Sequence, residues 1–544
     1  MTADEKFSAH KYKLVLQRFS RNGTVYIILL FIVGFNLCCL YPEIRGEAGL
    51  YGDKAYHLQL AKSAVSAIQN GNNLTDPWDS TMGTGFPVFH YYQHLPHVVL
   101  ALINVSLFES IDLIDLLTWS NYLLLSFFPF SIYWSLCRVG LDPMAGVMAS
   151  LVSSLVGYDL YGGIGAGNYV FQGFGLYSQL CGVFLLPLML SLGYGAIVKG
   201  KNYFWAVLFC SMTLMSHLVI GYMGFITLGL LACIRCLQSS DLKSGLRTLC
   251  ACLRRLVTLL LLVMLVASYF LIPFFIDRAF VNTGLDNNTI GNIMDHSYGH
   301  QAVLQSLFSG NLFDLNRIPV LTILVFVGIC ICVVRWRTKS YLVPLVMFLF
   351  WLLLFFGRPT WGNLLNLLPL SQSVQMIRFV AGVHLSGIVL AGLALAVLWH
   401  WFRSRGRWWS TALGVLAIIL ILSPVYIERY QSLKQNGAAI RENQIALASE
   451  SADLSNLYRM LEVLPAGRIY VADQKSIRRE AGITTVSVLL QSEGFDVFSA
   501  NYHHYSYSSN LVRIFDEYSH ENYNLFNVRY VIAPEEWNSP DFAE

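Results

Sequence analysis

Eleven apolar runs follow one another before residue 428, and they constrain the fold more than any other feature of this chain. They fall at about 24–41, 113–137, 143–160, 176–198, 203–219, 221–237, 255–276, 318–335, 340–357, 381–402 and 409–427. A helix needs roughly 20 mostly apolar residues to cross a bilayer. Lipid offers the backbone no water, so such runs must satisfy their own hydrogen bonds as helices. Composition agrees: 13% of the 544 residues are charged and 55% hydrophobic, whereas soluble domains carry about 25% charged residues. The expected class is a polytopic α-helical membrane protein, not a soluble enzyme.

A twelfth apolar stretch, 95–107, is shorter and begins beside Pro96. Its length suits a helix lying at the membrane surface. Charge distribution tests that choice. With eleven crossings and the N-terminus inside, the inner segments and adjoining helix ends hold 19 of the 36 Lys and Arg, while the outer loops before residue 428 hold seven. Counting 95–107 as a crossing would invert every later basic loop, against the positive-inside rule. The basic N-terminal tail (Lys6, Lys11, Lys13, Arg18, Arg21) precedes a run with no small-residue cleavage site. That run is expected to be a retained first helix. Most cysteines lie in or beside apolar runs, as small buried hydrophobes do.

Two units are expected. Residues 1–427 form the transmembrane part, with a first outward loop at 43–112. Residues 428–544 form a polar extracytoplasmic tail of mixed α/β character. Leu454, Leu457, Leu461 and Leu464 have helical spacing, and 467–472 and 527–533 read as strands. No internal repeat is visible.

Ionisable groups inside a membrane part are costly and mark function. In this chain they gather at the outer ends of spans: Asp53 and His57 in the first loop, Asp159 after the third span, His217 near the end of the fifth. Arg358 follows the ninth span, and Arg378 and His384 flank the start of the tenth. A carrier coupled to ions would instead place charges near the midplane. Asp53 and His57 are four apart, so a helix from Asp53 to Ile68 puts them on one face with Ala61 and Ala64. Asp76 and Asp79 read as turn and cap residues in a loop. His90, His94 and His97 have spacing suggestive of a metal site, but Pro96 interrupts it and no HExxH occurs; interfacial anchoring is the expected role. The outward loops 157–178 and 277–317 read as a pocket rim and a segment able to fold over substrate; the latter carries Asn282, Asp286, Asn287, Asp295, His296 and His300. Arg358 and Arg378 suit phosphate, because guanidinium is a permanent fork of donors; snorkelling to the interface is the competing role for each.

The pattern Gly52-Asp53-x-x-Tyr56-His57, the run Gly83-Thr-Gly85-Phe-Pro-Val-Phe89, the pair Arg378-Phe379 and the tail strand Asn527-Val-Arg-Tyr-Val-Ile532 carry a resemblance. The chain resembles the GT-C superfamily of polyprenyl-linked-sugar glycosyltransferases, and within it a bacterial membrane family labelled "6-pyruvoyl-tetrahydropterin synthase-related". The resemblance implies a helical bundle in the bacterial inner membrane, with a lipid-phosphate sugar donor and a glycan, lipid or protein acceptor. It implies Asp53 as catalytic carboxylate, with Asp159 where some members place a second acidic residue. A divalent cation, Mg or Mn, serves only some members. The reading taken forward gives Asp53 the base role with His57 assisting. Arg378 and Arg358 meet phosphate, and Asp159, His217 and His384 line the pocket. Rival readings are a transporter or flippase of lipid-linked glycans and a non-catalytic envelope assembly protein.

Overall fold

The computed structural model describes residues 23–45, 49–50, 52–82, 84–157, 162–239, 241–281, 295–472, 484–498, 500, 511–512, 514–534 and 537. The basic tail before residue 23, Gly83, Asp159, Asn282, Asp286 and Asn287 lie outside the described residues.

Every apolar run contains a helix. In chain order these begin with α1 (Gly23–Cys39), α2 (Asp53–Gln69), α3 (Leu95–Ser106), α4 (Leu113–Val139) and α5 (Pro143–Ser153). Next come α6 (Tyr177–Lys199), α7 (Tyr203–Ser216), α8 (Leu218–Leu237), α9 (Leu242–Val266), α10 (Ser268–Ile276) and α11 (Gly299–Ser309). The membrane part closes with α12 (Val320–Val334), α13 (Lys339–Phe355), α14 (Val380–Arg403) and α15 (Trp408–Ser449). Among the described residues six helices are long and apolar enough to cross a membrane, or seven if the bent pair around Gly357 is one span. The others are shorter than their runs, because hydropathy persists where the helix stops. The run 143–160 is, over its described part 143–157, helical only to Ser153, and the Gly157 N–H bonds the Phe313 carbonyl at 2.9 Å instead of continuing the helix.

Helix ends follow local chemistry. α5 starts on Asp142, whose carboxylate accepts the Ala145 N–H at 3.3 Å, and on Pro143. α4 ends at Gly140 in the left-handed conformation. α9 begins earlier than its apolar run, at Asp241, whose carboxylate accepts the Ser244 N–H at 2.8 Å and caps a first half rich in Lys243, Arg247, Arg254 and Arg255. Cys233 and Cys236 share C-x-x-C spacing on α8, and both thiols are free.

The centre is α14, with 89% of its most apolar window buried. It packs against α5, α12, α13 and α15. Small residues allow the close approach: a Cβ at Gly392 would stand 2.5 Å from the Ala149 nitrogen of α5. Rigid placement of α14 fixes the segment that enters it, residues 376–379.

The first loop, between α1 and α4, is a folded unit. α2 and α3 pack together, and a two-residue antiparallel pair, β1 (Trp78–Asp79) with β2 (Phe86–Pro87), closes the turn between them. Asp79 fixes that turn, accepting from Ser63 Oγ at 2.6 Å, Gln59 Nε2 at 2.7 Å and the Thr81 N–H at 2.8 Å.

α15 runs on past residue 428 without a break, and α16 (Ser451–Val463) follows. The tail adds β3 (Arg468–Val471), α17 (Val486–Ser492), α18 (His520–Leu525) and β4 (Val528–Ile532). β3 and β4 pair in parallel, and Ile469, Val471, Val486, Leu490 and Val497 form a small separate core. The tail returns to the first loop: Gln491 donates to the Thr81 carbonyl at 3.1 Å, and Lys62 of α2 donates to the Ser492 carbonyl.

Candidate functional site

Asp53 is the first residue of α2. Gly52 before it has φ +57°, and a Cβ there would stand 2.8 Å from the Phe174 carbonyl oxygen. That carbonyl takes the Asp53 N–H at 2.9 Å. Only glycine combines this conformation with this approach. The loop after α5 thus holds the start of α2.

The Asp53 side chain is open to solvent yet closely surrounded by protein, as at the foot of a cleft. Crowding favours the neutral acid and pushes its pKa up to about 6, against the attraction of Arg378, which favours the carboxylate. Among the described residues the carboxylate accepts no side-chain hydrogen bond.

Arg378 lies in the turn Met376–Phe379 that feeds α14; its neighbours Met376, Ile377 and Phe379 are buried anchors. Its Nε donates to Gln375 Oε1 at 2.8 Å and its Nη1 to Gln179 Oε1. Gln179 is buried near the start of α6, and its amide nitrogen donates to the Gly163 carbonyl at 3.2 Å and the Tyr169 hydroxyl at 3.1 Å. The Gly163 carbonyl also accepts from Tyr169 Oη at 3.1 Å and Asn168 Nδ2 at 3.2 Å. Arg378 is therefore held by a hydrogen-bond network reaching into the loop that also pins Asp53. Gly162 packs on the same segment, where a Cβ would stand 2.8 Å from the Arg378 Cα.

His57 sits elsewhere than expected. It is buried, and its Nδ1 pairs with His97 Nε2 at 2.9 Å, the rings stacked at 5.2 Å. It makes no hydrogen bond to Asp53 and packs among Tyr56, Tyr92 and Tyr177. The expectation of interfacial His anchors is corrected. His94 and His97 are fully buried, and His94 bonds Tyr269 Oη at 2.6 Å. His90 bridges Asp76 at 3.0 Å and Asp277 at 2.9 Å, clamping the first loop to the end of α10.

His217 caps α8, its Nδ1 accepting the Ile220 N–H at 3.3 Å, and it lies within electrostatic range of Arg378 and His57. His384 is wholly buried in α14. It donates to the Leu312 carbonyl at 2.8 Å and accepts the Ile164 N–H at 3.4 Å, so it braces the Gly163 loop instead of lining an open pocket. Arg358 is committed to its own turn, through Asn366 Oδ1 at 3.2 Å and the Ser371 carbonyl at 3.0 Å. The structure brings Asp53, Arg378 and His217 to one region, while the Arg358 guanidinium is engaged by Asn366 and Ser371. Gln179, Gln375 and Tyr169 carry no motif, and sequence reading passes over them.

No group of three or more His, Cys, Asp or Glu side chains converges among the described residues. Those residues alone do not make a divalent-cation site. A recess behind Asp53 is lined by Glu43, Lys54, Thr118, Asn121, Tyr169 and Phe171. Burial raises the Glu43 pKa and lowers that of Lys54.

The arrangement of helices is similar to that of an oligosaccharyltransferase from Archaeoglobus fulgidus. Against its crystal structure with zinc and sulfate the TM-score is 0.51 at 12% identity, covering 93% of this chain and 67% of that one. Against its apo form the TM-score is 0.49 at 11% identity, covering 86% and 64%. No family model and no curated protein matches the sequence. At this identity the likeness is one of fold alone, a helical arrangement shared over most of this chain.

Proposed function

We propose that the protein is a membrane glycosyltransferase that moves a sugar from a polyprenyl-phosphate-linked donor to an extracytoplasmic hydroxyl acceptor in a glycan, lipid or protein. One observation carries the reading: an accessible carboxylate, Asp53, with no hydrogen-bond partner among the described residues, stands in the field of a rigidly held guanidinium, Arg378. The fold likeness to an oligosaccharyltransferase supports the class.

Each group has a chemical task. Asp53, ionised above about pH 6, takes the proton from the acceptor hydroxyl. The hydroxyl oxygen then bonds to the anomeric carbon as the bond from that carbon to the phosphate oxygen breaks. The departing phosphate carries away the electron pair, and Arg378 meets its charge. Asp53 forms no bond to carbon, so the anomeric configuration inverts. His217 completes the wall beside Arg378. The tail, joined to α2 through Gln491 and Ser492, positions the acceptor. All of this takes place on the outer face of a bacterial inner membrane, with the N-terminus inside.

A structure with a polyprenyl-phosphate-sugar analogue tests the reading. The phosphate is expected at Arg378 and the sugar's anomeric carbon facing Asp53. A donor bound away from both residues would overturn it.

A further inference from the structure

Arg429 is a second guanidinium, apart from Asp53 and Arg378, that this mechanism does not use. It is 7% exposed, and its Nε has no hydrogen-bond partner. Among the described residues its guanidinium forms no hydrogen bond or ion pair at all. Such a charge is costly to bury unpaired.

The surroundings explain what could pair with it. Arg429 borders a narrow crevice lined by Asn36, Leu40, Phe128, Ser153, Ser154 and Tyr169. Asn36 donates to Ser154 Oγ at 3.0 Å, and its own Oδ1 is buried without a partner. The charged groups facing Arg429 are Arg317, Glu428 and Glu43, with the Cys39 thiol beside them. The two carboxylates are occupied. Glu428 pairs with Arg317 at 2.6 Å, and Glu43 accepts the Phe171 N–H at 2.9 Å and Asn436 Nδ2 at 2.5 Å. Neither carboxylate bonds the Arg429 guanidinium, which among the described residues has no hydrogen-bonded counter-charge.

Depth in the membrane selects the ligand. Arg429 lies 22 residues beyond Arg407 on α15, roughly 33 Å along the helix at 1.5 Å per residue. Hydrocarbon is about 30 Å thick, so Arg429 reaches the head-group level of the outer leaflet. Below it, α1 and α15 meet at an aromatic seam, with Phe35 against Tyr426 at 5.1 Å and Phe31 against Tyr426 at 6.1 Å. Flanking side chains Ile27, Leu30, Ile419 and Ile427 are exposed and apolar, a surface for acyl chains.

We propose that this recess is a binding site for the phosphate of an anionic phospholipid, whose acyl chains lie along α1 and α15 and whose head group reaches Arg429. A free anion would have to leave bulk water for a mostly apolar crevice, whereas a lipid phosphate is already held at this depth.

The test is native mass spectrometry of the full chain in detergent, with phosphatidylglycerol, phosphatidylcholine or inorganic phosphate added. Phosphatidylglycerol should remain bound in preference to phosphatidylcholine, and Arg429→Gln should lower its retention by about tenfold or more, the loss of a charge-assisted hydrogen bond. Asn36→Leu keeps the guanidinium but removes a polar wall, and should lower retention too; it decides the matter if Arg429→Gln does not fold. Equal retention by the wild type and the folded variants would overturn the proposal, as would no preference for phosphatidylglycerol. Displacement of the lipid by millimolar inorganic phosphate would assign the recess to a free anion and overturn the lipid.

Discussion

Gln179 holds Arg378 across 199 residues of sequence, its carbonyl oxygen on the guanidinium and its amide nitrogen on Gly163 and Tyr169. The amide has one orientation compatible with these partners. Arg378 thereby acquires a fixed direction from α6 as well as from its own turn.

Gln179→Leu removes that hold at nearly constant size. Losing a buried hydrogen bond to a charged group costs roughly 1.5–3 kcal/mol. Donor kcat/KM is expected to fall between about tenfold and a hundredfold, mainly through KM. A looser Arg378 also attracts the Asp53 carboxylate less, so the acid limb of the pH profile moves up from about 6. An unchanged acid limb would show that Gln179 only supports the fold.

Asp53→Asn keeps shape and removes the base. Transfer is expected to drop by roughly 10²–10⁴-fold in a radiolabelled-sugar transfer assay, with the chain still inserted and folded. Wild-type activity should fall to half near pH 6 on the acid side. Stability moves the other way. The Asp53 pKa is raised on folding, so its ionisation weakens the native state as pH rises through 4–6. The Asn variant should therefore unfold at a higher temperature than wild type at pH 7, a trade of stability for activity.

Parts of this arrangement were legible in the chain. The helix Asp53–Gln69 follows from spacing, and the tail helix at Ser451 and strands at Arg468 and Val528 follow from periodicity and β-branched content. The apolar runs showed where helices lie but not how long they are, because hydropathy is blind to breaks such as those at Ser153 and His217. Contacts between distant segments left no local trace. Nothing near Gln179 announces Arg378, and the spacing of His90, His94 and His97 suggested ligands or anchors when the partner of His97 was His57 on the neighbouring helix.

That histidine pair makes its own prediction. One ring must donate and the other accept, so a proton added to the pair sets two donors face to face. Burial holds His57 down to about 3 and His97 well below its ordinary value. The unfolded chain binds these protons near pH 6.5, so the pair's contribution is fully present above that pH and fades as pH falls below it. Thermal unfolding in detergent should show a midpoint falling between pH 6.5 and 4. The double variant His57→Phe/His97→Leu should flatten that slope. An unchanged slope would place the acid sensitivity elsewhere.

Gly52 gives the sharpest geometric test, because its effect should pass through Asp53 without altering any charge. Alanine there must hold φ near +57° with its Cβ 2.8 Å from the Phe174 oxygen. Strain of this kind costs on the order of 1–3 kcal/mol. The strain is relieved only by parting the Asp53 N–H from Phe174, which shifts the first turn of α2 and the carboxylate with it. Gly52→Ala is thus expected to lower the unfolding midpoint and to reduce kcat by about a hundredfold, the scale on which a displacement near 1 Å disturbs a reacting group. Donor KM should change little, since Arg378 is held from α6 and α14. Loss of donor binding with kcat intact would show that the loop at Phe174 serves Arg378 and not Asp53.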